Sequence, residues 1–429
     1  MKRKIQVGIL GFGTVGSGVL RILKQHESKI KQITGEELNV KKVLVRNVEK
    51  KRGEFSEGIE LTTNAADILM DEDIDIVVEV MGSIVQAKDY ISQALKAGKH
   101  VVTANKDLIA LHGNELVALA NDYQCDLYYE ASVAGGIPIL RTIVDSLASD
   151  HIQKVFGIVN GTTNFMLSKM TNNNDTYEEA LQKAQELGFA ENDPTNDVDG
   201  IDAARKMVIL TRLAFGMNVE LEQIETRGIR DIQLADIEMA KRLGYRIKLI
   251  GAAIEKDNSV RVDVGPVLVP EDHPLAGVQN ENNAVFVVGA AVGETMFYGP
   301  GAGALPTATS VVSDLITVAK NIGLGTTGTV FNSYQHETNL TEDKDVESKY
   351  YMAIDMQDQT GQFLELTKIF NESDVGFDQI IQQPFSKASA KVVIVTHRMN
   401  KAQQNRIIND LKKAEGMNLL VCFKVMEGK

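Results

Sequence analysis

The chain has 429 residues, of which 44% are hydrophobic and 24% are charged, a mix typical of globular proteins. Its length predicts two or three domains rather than one core. The formal net charge of −13 argues against a nucleic-acid partner, because nucleic acids bind basic surfaces. Cys125 and Cys422 are far apart and form no metal or redox motif, which favours a reducing compartment. No apolar run has the length of a signal peptide or a membrane span, so we expect a cytoplasmic protein with no membrane partner.

The first 130 residues alternate apolar strands with helical stretches. This alternation predicts an α/β fold with a doubly wound parallel sheet of the Rossmann type, and we assign residues 1–130 to it. The predicted strands lie at 4–10, 40–46, 74–81, 99–105 and 125–133.

Beyond residue 130 the strands alternate and turn in antiparallel fashion, which predicts an α+β domain over 131–299. The segment 300–330 opens on glycines and continues as a long helix, and we expect it to pack back on the first domain. Residues 332–347 are polar and rich in turn formers, so we predict a linker. The last segment, 348–429, has the pattern strand–helix–strand–strand–helix–strand of a small ferredoxin-like unit.

A glycine fingerprint directly follows the first predicted strand and opens a helix. In that context the glycines permit a tight turn, the close approach of a pyrophosphate and helix–strand packing, while the helix N–H groups face the phosphates. We therefore predict dinucleotide binding, with a glycine-rich structural turn as the alternative. The predicted cofactor contacts in this turn are Gly11, Phe12, Gly13, Thr14, Val15 and Gly16.

The second predicted strand ends at Arg46, where an NAD-binding protein would carry Asp or Glu for the ribose 2′-hydroxyl. An arginine at this place would bind a 2′-phosphate instead, which favours NADP, with NAD still possible. Lys50, Lys51 and Arg52 follow, so a solvated basic loop is the alternative interpretation.

The segment AENDPTNDVDGIDAARK, residues 190–206, carries five carboxylates and then a lysine. Asp202 and Lys206 are spaced i, i+4 on a helix predicted to start near Ile201, so they share a face. An isolated surface pair of this kind would contribute little. With four more carboxylates beside it, the pair suggests an amino-acid site in which carboxylates hold an ammonium group and the lysine transfers a proton. Those four are Glu191, Asp193, Asp197 and Asp199.

Three further turns place polar groups beside predicted strands. Lys106 follows a strand at the edge where doubly wound sheets bind ligands. Thr162 and Thr163 lie between a strand and a helix, where they could cap the helix or contact a ligand. Glu130 precedes a loop whose carbonyls could bind a cation, although a tight glycine turn is the simpler interpretation.

Together these segments resemble the homoserine dehydrogenase family, in its monofunctional bacterial form with a C-terminal ACT domain. The motifs occur in the family's order and cover essentially the whole chain. The resemblance implies reversible, NAD(P)-dependent reduction of L-aspartate 4-semialdehyde to L-homoserine, in threonine, methionine and isoleucine biosynthesis, and Arg46 favours NADP as the cofactor. The motifs are GFGTVG, TANK, EASVAGGIPI, NGTTN, DPTNDVDGIDAARK and GPGAGALPTA.

The resemblance also implies roles for individual residues. Lys206 corresponds to the catalytic acid and base, Asp202 to its substrate-binding partner and Glu191 to the ligand of the substrate ammonium. Further implied substrate contacts are Asp197, Gly161, Thr162 and Thr163. Lys106 is implied as a second active-site lysine that also contacts the cofactor, and Gly188 and Gly303 as further cofactor contacts. A sodium site is implied at Glu130 and the carbonyls of Val133, Gly135 and Ile137.

Members of the family are typically dimeric through the middle domain, so we expect a homodimer or a dimer of dimers. The C-terminal unit departs from the usual ACT pattern, because Thr360 precedes Gly361 where proline is common and Ala353 stands where relatives often have arginine. We expect an amino-acid effector there, and whether it is threonine stays open.

Two other functions compete with this interpretation. An aspartate-semialdehyde dehydrogenase needs a cysteine nucleophile, and neither cysteine lies in a loop with a base. A regulatory protein that senses NAD(P) or an amino acid, and has lost catalysis, would be expected to lose the proton-transfer residues. Lys206, Asp202, Glu191 and Lys106 are all present.

Overall fold

The computed structural model describes residues 4–50, 58–331, 335–386 and 388–427. The chain divides into two compact units: the first comprises residues 1–155, 205–223 and 282–337, and the second 156–204, 224–281 and 338–429. Among the described residues, no helix is long and apolar enough to cross a membrane.

The strands, in chain order, are β1 (Lys4–Leu10), β2 (Glu37–Leu44), β3 (Glu60–Thr62), β4 (Ile76–Glu79), β5 (His100–Thr103), β6 (Leu127–Tyr128), β7 (Ile152–Ile158), β8 (Glu225–Thr226), β9 (Tyr245–Lys256), β10 (Ser259–Pro270), β11 (Asn282–Gly289), β12 (Gly293–Pro300), β13 (Glu347–Gln357), β14 (Phe377–Pro384), β15 (Ser389–Thr396), β16 (Met399–Asn400) and β17 (Met417–Val425).

The helices are α1 (Thr14–Gln25), α2 (Glu27–Thr34), α3 (Ala66–Leu69), α4 (Val85–Lys96), α5 (Lys106–Asp122), α6 (Ile139–Arg141), α7 (Gly161–Asn173), α8 (Tyr177–Glu186), α9 (Thr195–Val198), α10 (Ile201–Phe215), α11 (Leu234–Arg242), α12 (Ala304–Leu324), α13 (Gln362–Glu372) and α14 (Lys401–Lys413). Shorter helical turns occur at Glu130–Ser132, Thr142–Ser146, Leu221–Gln223 and Pro274–Gly277.

The first unit contains a parallel sheet with the order β3-β2-β1-β4-β5-β6. The strand order reverses between β1 and β4, as in Rossmann folds. All four residues of β4 are buried, because helices cover both faces of such a sheet and its strands are therefore mostly apolar. The predicted doubly wound sheet is confirmed.

The predicted strand at 125–133 is shorter than expected, since β6 contains only Leu127 and Tyr128. The chain turns directly afterwards, where the carbonyl of Tyr129 accepts hydrogen bonds from the Ser132 backbone N–H at 3.0 Å and the Ser132 hydroxyl at 2.6 Å. Helix α12 packs closely on α1 in the same unit. A Cβ atom built on Gly18 would lie 2.6 Å from the carbonyl oxygen of Ala304.

The second unit contains the strand order β9-β10-β17-β13-β15-β14. Strands β9 and β10 form a long antiparallel hairpin, and β17 joins β10 in parallel. The C-terminal strands are antiparallel to one another in the order β17-β13-β15-β14, with α13 and α14 packed on one face around Phe370 and Ile407. This is the ferredoxin-like arrangement that the sequence predicts.

Candidate active site

The turn between β1 and α1 leaves the first N–H groups of α1 open to a ligand. Gly13 is the N-cap and forms no side-chain cap, and the first turn of α1 contains no acidic residue. Gly11 adopts a φ of +110° and donates its N–H to the carbonyl of Leu44 at 3.2 Å. A Cβ on Gly16 would lie 2.4 Å from the Gly11 carbonyl oxygen, whereas a Cβ on Gly13 would meet no protein atom within 4 Å. The fold therefore requires Gly11 and Gly16, and Gly13 borders space that a pyrophosphate would fill.

Arg46 lies at the same edge of the sheet as the glycine turn. Leu10 at the end of β1 pairs with Leu44 at the end of β2, and Arg46 follows two residues later with an exposed side chain. Lys51 and Arg52 lie outside the described residues. Thr14 is also exposed, and Phe12 and Val15 are partly exposed, so this turn offers side chains as well as backbone groups to a ligand.

Glu79, a residue that the sequence analysis overlooked, is completely buried at the end of β4. Its carboxylate accepts hydrogen bonds from the backbone N–H of Met81 at 2.7 Å and from the hydroxyl of Thr103 at 2.6 Å. Burial raises the pKa of Glu79. The one signal in the sequence is an acidic residue within the apolar run IVVEVM.

Asn105 continues this network into the next loop. Its backbone N–H donates to the Thr103 hydroxyl at 3.0 Å, its amide nitrogen donates to the Ser83 carbonyl at 3.0 Å, and its amide oxygen accepts the Leu108 N–H at 3.2 Å. Asn105 thereby caps α5 and ties the loop after β4 to the loop after β5. The first residue of α5 is Lys106, so the network determines where this lysine stands.

Lys106 and Lys206, a hundred residues apart in the chain, line one cavity of about 230 Å³ in the first unit. Lys206 lies in α10 and is 9% exposed. Lys106 begins a helix, where the positive end of the helix dipole disfavours a lysine, so helix stability does not explain its presence. Asp107 beside it pairs with Arg205 at 3.2 Å. Asp202 precedes Lys206 by one turn of α10, as the sequence predicts.

A second glycine turn, before α12, borders the same cavity. Gly301 and Ala302 line it, and Gly303 is the N-cap of α12 with a φ of +117° and no side-chain cap. A Cβ on Gly135 would lie 2.4 Å from the carbonyl oxygen of Gly301. The turn before α12 therefore packs directly on the loop that follows Glu130.

Glu130 is buried, and its two carboxylate oxygens accept the backbone N–H groups of Leu140 at 2.9 Å and Arg141 at 2.7 Å. Burial raises the pKa of Glu130. The carbonyl of Gly135 accepts the Ser310 hydroxyl at 2.6 Å. In the described part of the chain, no group of three or more His, Cys, Asp or Glu side chains is arranged to hold a metal. The predicted cation ligands other than Glu130 are backbone oxygens of buried residues, namely Val133, Gly135 and Ile137.

In the second unit, Asn160 brings two carboxylates of the acidic loop together. Its amide nitrogen donates to Asp197 at 2.7 Å and to Asp202 at 2.8 Å. Its amide oxygen accepts the Thr163 N–H at 2.8 Å and caps α7. In the sequence, the position of Asn160 before a helix indicates only a cap, so its two carboxylate partners could not be predicted.

The other carboxylates of this loop have different surroundings. Asp199 pairs with Arg230. Asp193 accepts two hydrogen bonds from Thr195, which lower the pKa of Asp193. Glu191 is exposed. The five carboxylates therefore have different partners: Asp197 and Asp202 share Asn160, Asp199 and Asp193 bond to nearby side chains, and Glu191 faces solvent. This distribution explains how a short segment tolerates five negative charges.

The remaining predicted contacts surround the start of α7. Thr162 and Thr163 are buried, and their hydroxyls donate to the carbonyl of Phe189 at 2.6 Å and to the side chain of Asn160 at 2.9 Å. Gly188 is exposed with a φ of +77°. Gly161 begins α7, and the Thr163 backbone N–H and both threonine hydroxyl protons are donated to protein acceptors, so a ligand anion at this turn would be bound by the N–H groups of Gly161 and Thr162.

The glycine turn at the point where the strand order reverses, and a cavity lined by two lysines at the same sheet edge, define a dinucleotide-dependent oxidoreductase. A family model described as the NAD binding domain of homoserine dehydrogenase matches residues 11–130, and one described as homoserine dehydrogenase matches residues 138–316. The chain belongs to the homoserine dehydrogenase family.

Full-length relatives agree with this assignment. The chain is 51% identical over 415 residues to the homoserine dehydrogenase of Bacillus subtilis, with 96% of each chain covered. The crystal structure of a homoserine dehydrogenase from Thiobacillus denitrificans superimposes with a TM-score of 0.94 at 36% identity and covers 99% of both chains. A hyperthermophilic archaeal homoserine dehydrogenase in complex with NADPH has a TM-score of 0.64 at 29% identity, covering 74% of this chain and 98% of its own.

The reaction is therefore the nicotinamide-dependent interconversion of L-homoserine and L-aspartate 4-semialdehyde, a step of amino-acid biosynthesis. A regulator without catalysis is not favoured, because the full-length relatives are dehydrogenases. A thioester mechanism is not favoured either. Burial raises the pKa of both Cys125 and Cys422 to about 11, so neither thiol is a nucleophilic thiolate near neutral pH.

Proposed function

We propose that the enzyme prefers NADP to NAD and that Lys206 carries the proton of the reaction. The observation that supports the cofactor preference is Arg46, whose exposed guanidinium stands at the edge occupied by the glycine turn. A guanidinium binds a phosphate through two parallel hydrogen bonds, and a carboxylate at this place would repel it. The NADPH complex of the archaeal relative agrees with this preference.

Lys206 takes the proton from the substrate hydroxyl during oxidation and returns it to the carbonyl oxygen during reduction. The bound nicotinamide supplies the chemistry of hydride acceptance and donation at the substrate carbon. Lys206 suits proton transfer because it is buried and lines a small cavity at the ligand-binding edge of the sheet. Lys106 lines the same cavity, and we assign it to binding oxygens of the cofactor and the substrate. Gly188 and Gly303 are proposed as further cofactor contacts.

The acidic loop binds the amino-acid part of the substrate. Glu191, which is exposed, is proposed to accept hydrogen bonds from the ammonium group. Asp197 and Asp202 are proposed as further substrate ligands. The backbone N–H groups at the start of α7 would bind the substrate carboxylate, since helix N-termini favour anions. The proposed contacts there are Gly161, Thr162 and Thr163.

A sodium ion is proposed at Glu130 and the carbonyls of Val133, Gly135 and Ile137. The donor set consists only of oxygens, as a hard cation requires. A carbonyl that accepts one hydrogen bond keeps a second lone pair, so the bonds to Ser310 and Ile139 leave these oxygens able to bind. A cation would also offset the cost of burying Glu130. Thermal unfolding at a higher temperature in sodium chloride than in choline chloride of equal concentration is the expected result, and equal values would contradict the site.

We also propose a functional division into residues 1–130 for the cofactor, 131–299 for substrate and dimerisation, and 348–429 as an ACT-like unit for an amino-acid effector. The ferredoxin-like strand order of the last segment supports this assignment. A cytoplasmic homodimer or dimer of dimers is the proposed assembly. Light scattering should give a mass of at least two chains, and an amino-acid effector should shift the melting temperature of the full chain.

The cofactor preference is tested by initial rates with L-homoserine, using NADP and NAD in parallel. The wild type should be faster with NADP. Arg46→Ala should raise the KM for NADP about tenfold to a hundredfold, as expected for losing a charged hydrogen-bond pair, with little change for NAD. Arg21→Ala removes another exposed arginine of the same unit and should change neither the KM for NADP nor the KM for NAD. Equal losses with both cofactors would remove Arg46 from the recognition of the 2′-phosphate.

A further inference from the structure

We propose that Asn160 is a positioning residue that holds Asp197 and Asp202 in one fixed arrangement for substrate binding. The inference rests on the proposed substrate role of the two aspartates. It assigns a specific task to a side chain whose sequence position indicates only a helix cap.

The side chain of Asn160 uses its full hydrogen-bonding capacity. An amide has two N–H donors and two acceptor lone pairs on its oxygen. The nitrogen donates to Asp197 Oδ1 at 2.7 Å and to Asp202 Oδ2 at 2.8 Å, and the oxygen accepts from the Thr163 N–H at 2.8 Å and the Thr163 hydroxyl at 2.9 Å. Because Asn160 is only 4% exposed, water does not compete for these bonds.

These partners permit only one orientation of the amide. Ionised carboxylates accept hydrogen bonds and never donate them, and the Thr163 backbone N–H only donates. A flipped amide would place its oxygen against two carboxylates, a repulsive arrangement. The carboxylates of Asp197 and Asp202 are thereby joined through one rigid group.

The bridging group is neutral, and this has a chemical consequence. Two carboxylates held close together repel each other, and a lysine or arginine between them would relieve the repulsion by cancelling their charge. Asn160 provides two N–H groups without adding positive charge. Asn160 itself therefore does not compete with an ammonium-bearing substrate for the charge of the two carboxylates.

The helix that Asn160 caps is itself held in place. Asn164, one turn further along α7, donates to the carbonyl of Asn280 at 2.8 Å and accepts from the buried ammonium of Lys248 at 3.0 Å. A Cβ on Gly161 would lie 2.8 Å from the carbonyl oxygen of Glu281, so the loop before β11 packs tightly on the first turn of α7. The backbone of Asn160 therefore has a firm support, and its amide can determine the positions of the two aspartates.

Two substitutions separate this bridging from helix capping. Serine and aspartate cap helices about as well as asparagine, but a serine hydroxyl cannot donate to two carboxylates and an aspartate adds a third negative charge. Asn160→Ser should raise the KM for L-homoserine about tenfold or more, and Asn160→Asp should raise it further. The KM for NADP should stay within about twofold, and kcat should fall less than kcat/KM.

The matched control is Asn400→Ser, which changes another asparagine cap, that of α14 in the capping box with Gln403. It should change stability little, because serine replaces asparagine well as a cap, and it should leave the KM for L-homoserine unchanged. A wild-type KM in Asn160→Ser, or an equal rise in Asn400→Ser, would overturn the proposal. Thermal unfolding of each variant shows whether the proteins compared are folded.

Asp197→Asn and Asp202→Asn, assayed alongside, distinguish the substrate role of the aspartates from the positioning role of Asn160. If both raise the KM for L-homoserine and Asn160→Ser does not, the positioning role fails while the substrate role of the aspartates stands. If neither aspartate variant changes the KM, the substrate role itself is wrong and the positioning role falls with it. If the KM for L-homoserine rises in all three variants while the KM for NADP stays unchanged, the result supports both the substrate role of the aspartates and the positioning role of Asn160.

Discussion

Gly13→Ala gives a direct test of the dinucleotide site because the missing side chain borders open space. A Cβ at Gly13 meets no protein atom within 4 Å, so any steric conflict created by alanine involves a ligand. The second glycine of such a turn is the one that lets the backbone approach a pyrophosphate. We expect the Kd for NADPH to rise at least about tenfold, which corresponds to about 1.4 kcal/mol.

The effect on folding should be small. Gly13 has φ −91° and ψ −152°, an extended conformation that alanine adopts, and its loss as an N-cap costs about 1 kcal/mol at most. Gly16→Ala is the opposite case, because its Cβ would lie 2.4 Å from the backbone oxygen of Gly11. That variant should lose about 1–3 kcal/mol of unfolding free energy through overpacking.

The Kd of each variant is measured by titration with NADPH, using the nicotinamide fluorescence as the signal. The free energy of unfolding is measured with urea. Gly277→Ala is the control, since a Cβ there also meets no atom within 4 Å and the residue ends a short helical turn in the other unit. Gly277→Ala should match the wild type in both measurements. A wild-type affinity for NADPH in Gly13→Ala would show that no ligand backbone passes over this glycine.

Three further predictions concern the reaction and the stability of the chain. Lys206→Ala should lower kcat about a hundredfold to ten-thousandfold, the usual contribution of a general acid or base, with NADPH affinity unchanged; near-normal turnover would remove Lys206 from proton transfer. Glu191→Gln should raise the KM for L-homoserine about tenfold with a smaller change in kcat, because a charged hydrogen bond becomes a neutral one; an unchanged KM would contradict the ammonium contact. Burial lowers the pKa of Lys248 from 10.5 to about 8, so between these values the unfolded chain binds more protons than the folded one and stability rises with pH. Relative to Lys248→Met, the wild type should therefore gain up to about 3 kcal/mol of unfolding free energy between pH 8 and pH 10.5, measured with urea; a parallel pH dependence in both proteins would show that Lys248 titrates normally.

Local patterns in the sequence were sufficient for several parts of the molecule. Strands such as β1 and β4 are rich in buried apolar residues because a parallel sheet is covered on both faces, and their composition therefore predicted them. The spacing of Gly11, Gly13 and Gly16 after such a run predicted the turn, since the positive φ of Gly11 and the close approach of Gly16 to the Gly11 carbonyl are both requirements of the turn itself. The i, i+4 spacing of Asp202 and Lys206 likewise predicted that both residues lie on one face of a helix, because the period of a helix is about 3.6 residues.

Which distant side chains meet could not be predicted from local patterns. Glu79 and Thr103 bond because β4 and β5 are paired in register, and no local pattern specifies that pairing. Asn160 reaches Asp197 across 37 residues of sequence and Asp202 across 42, and the path depends on how α7, α9 and the start of α10 pack. Most helices and strands could be predicted because they depend on neighbouring residues, whereas the partners of each polar group depend on packing between segments far apart in the chain.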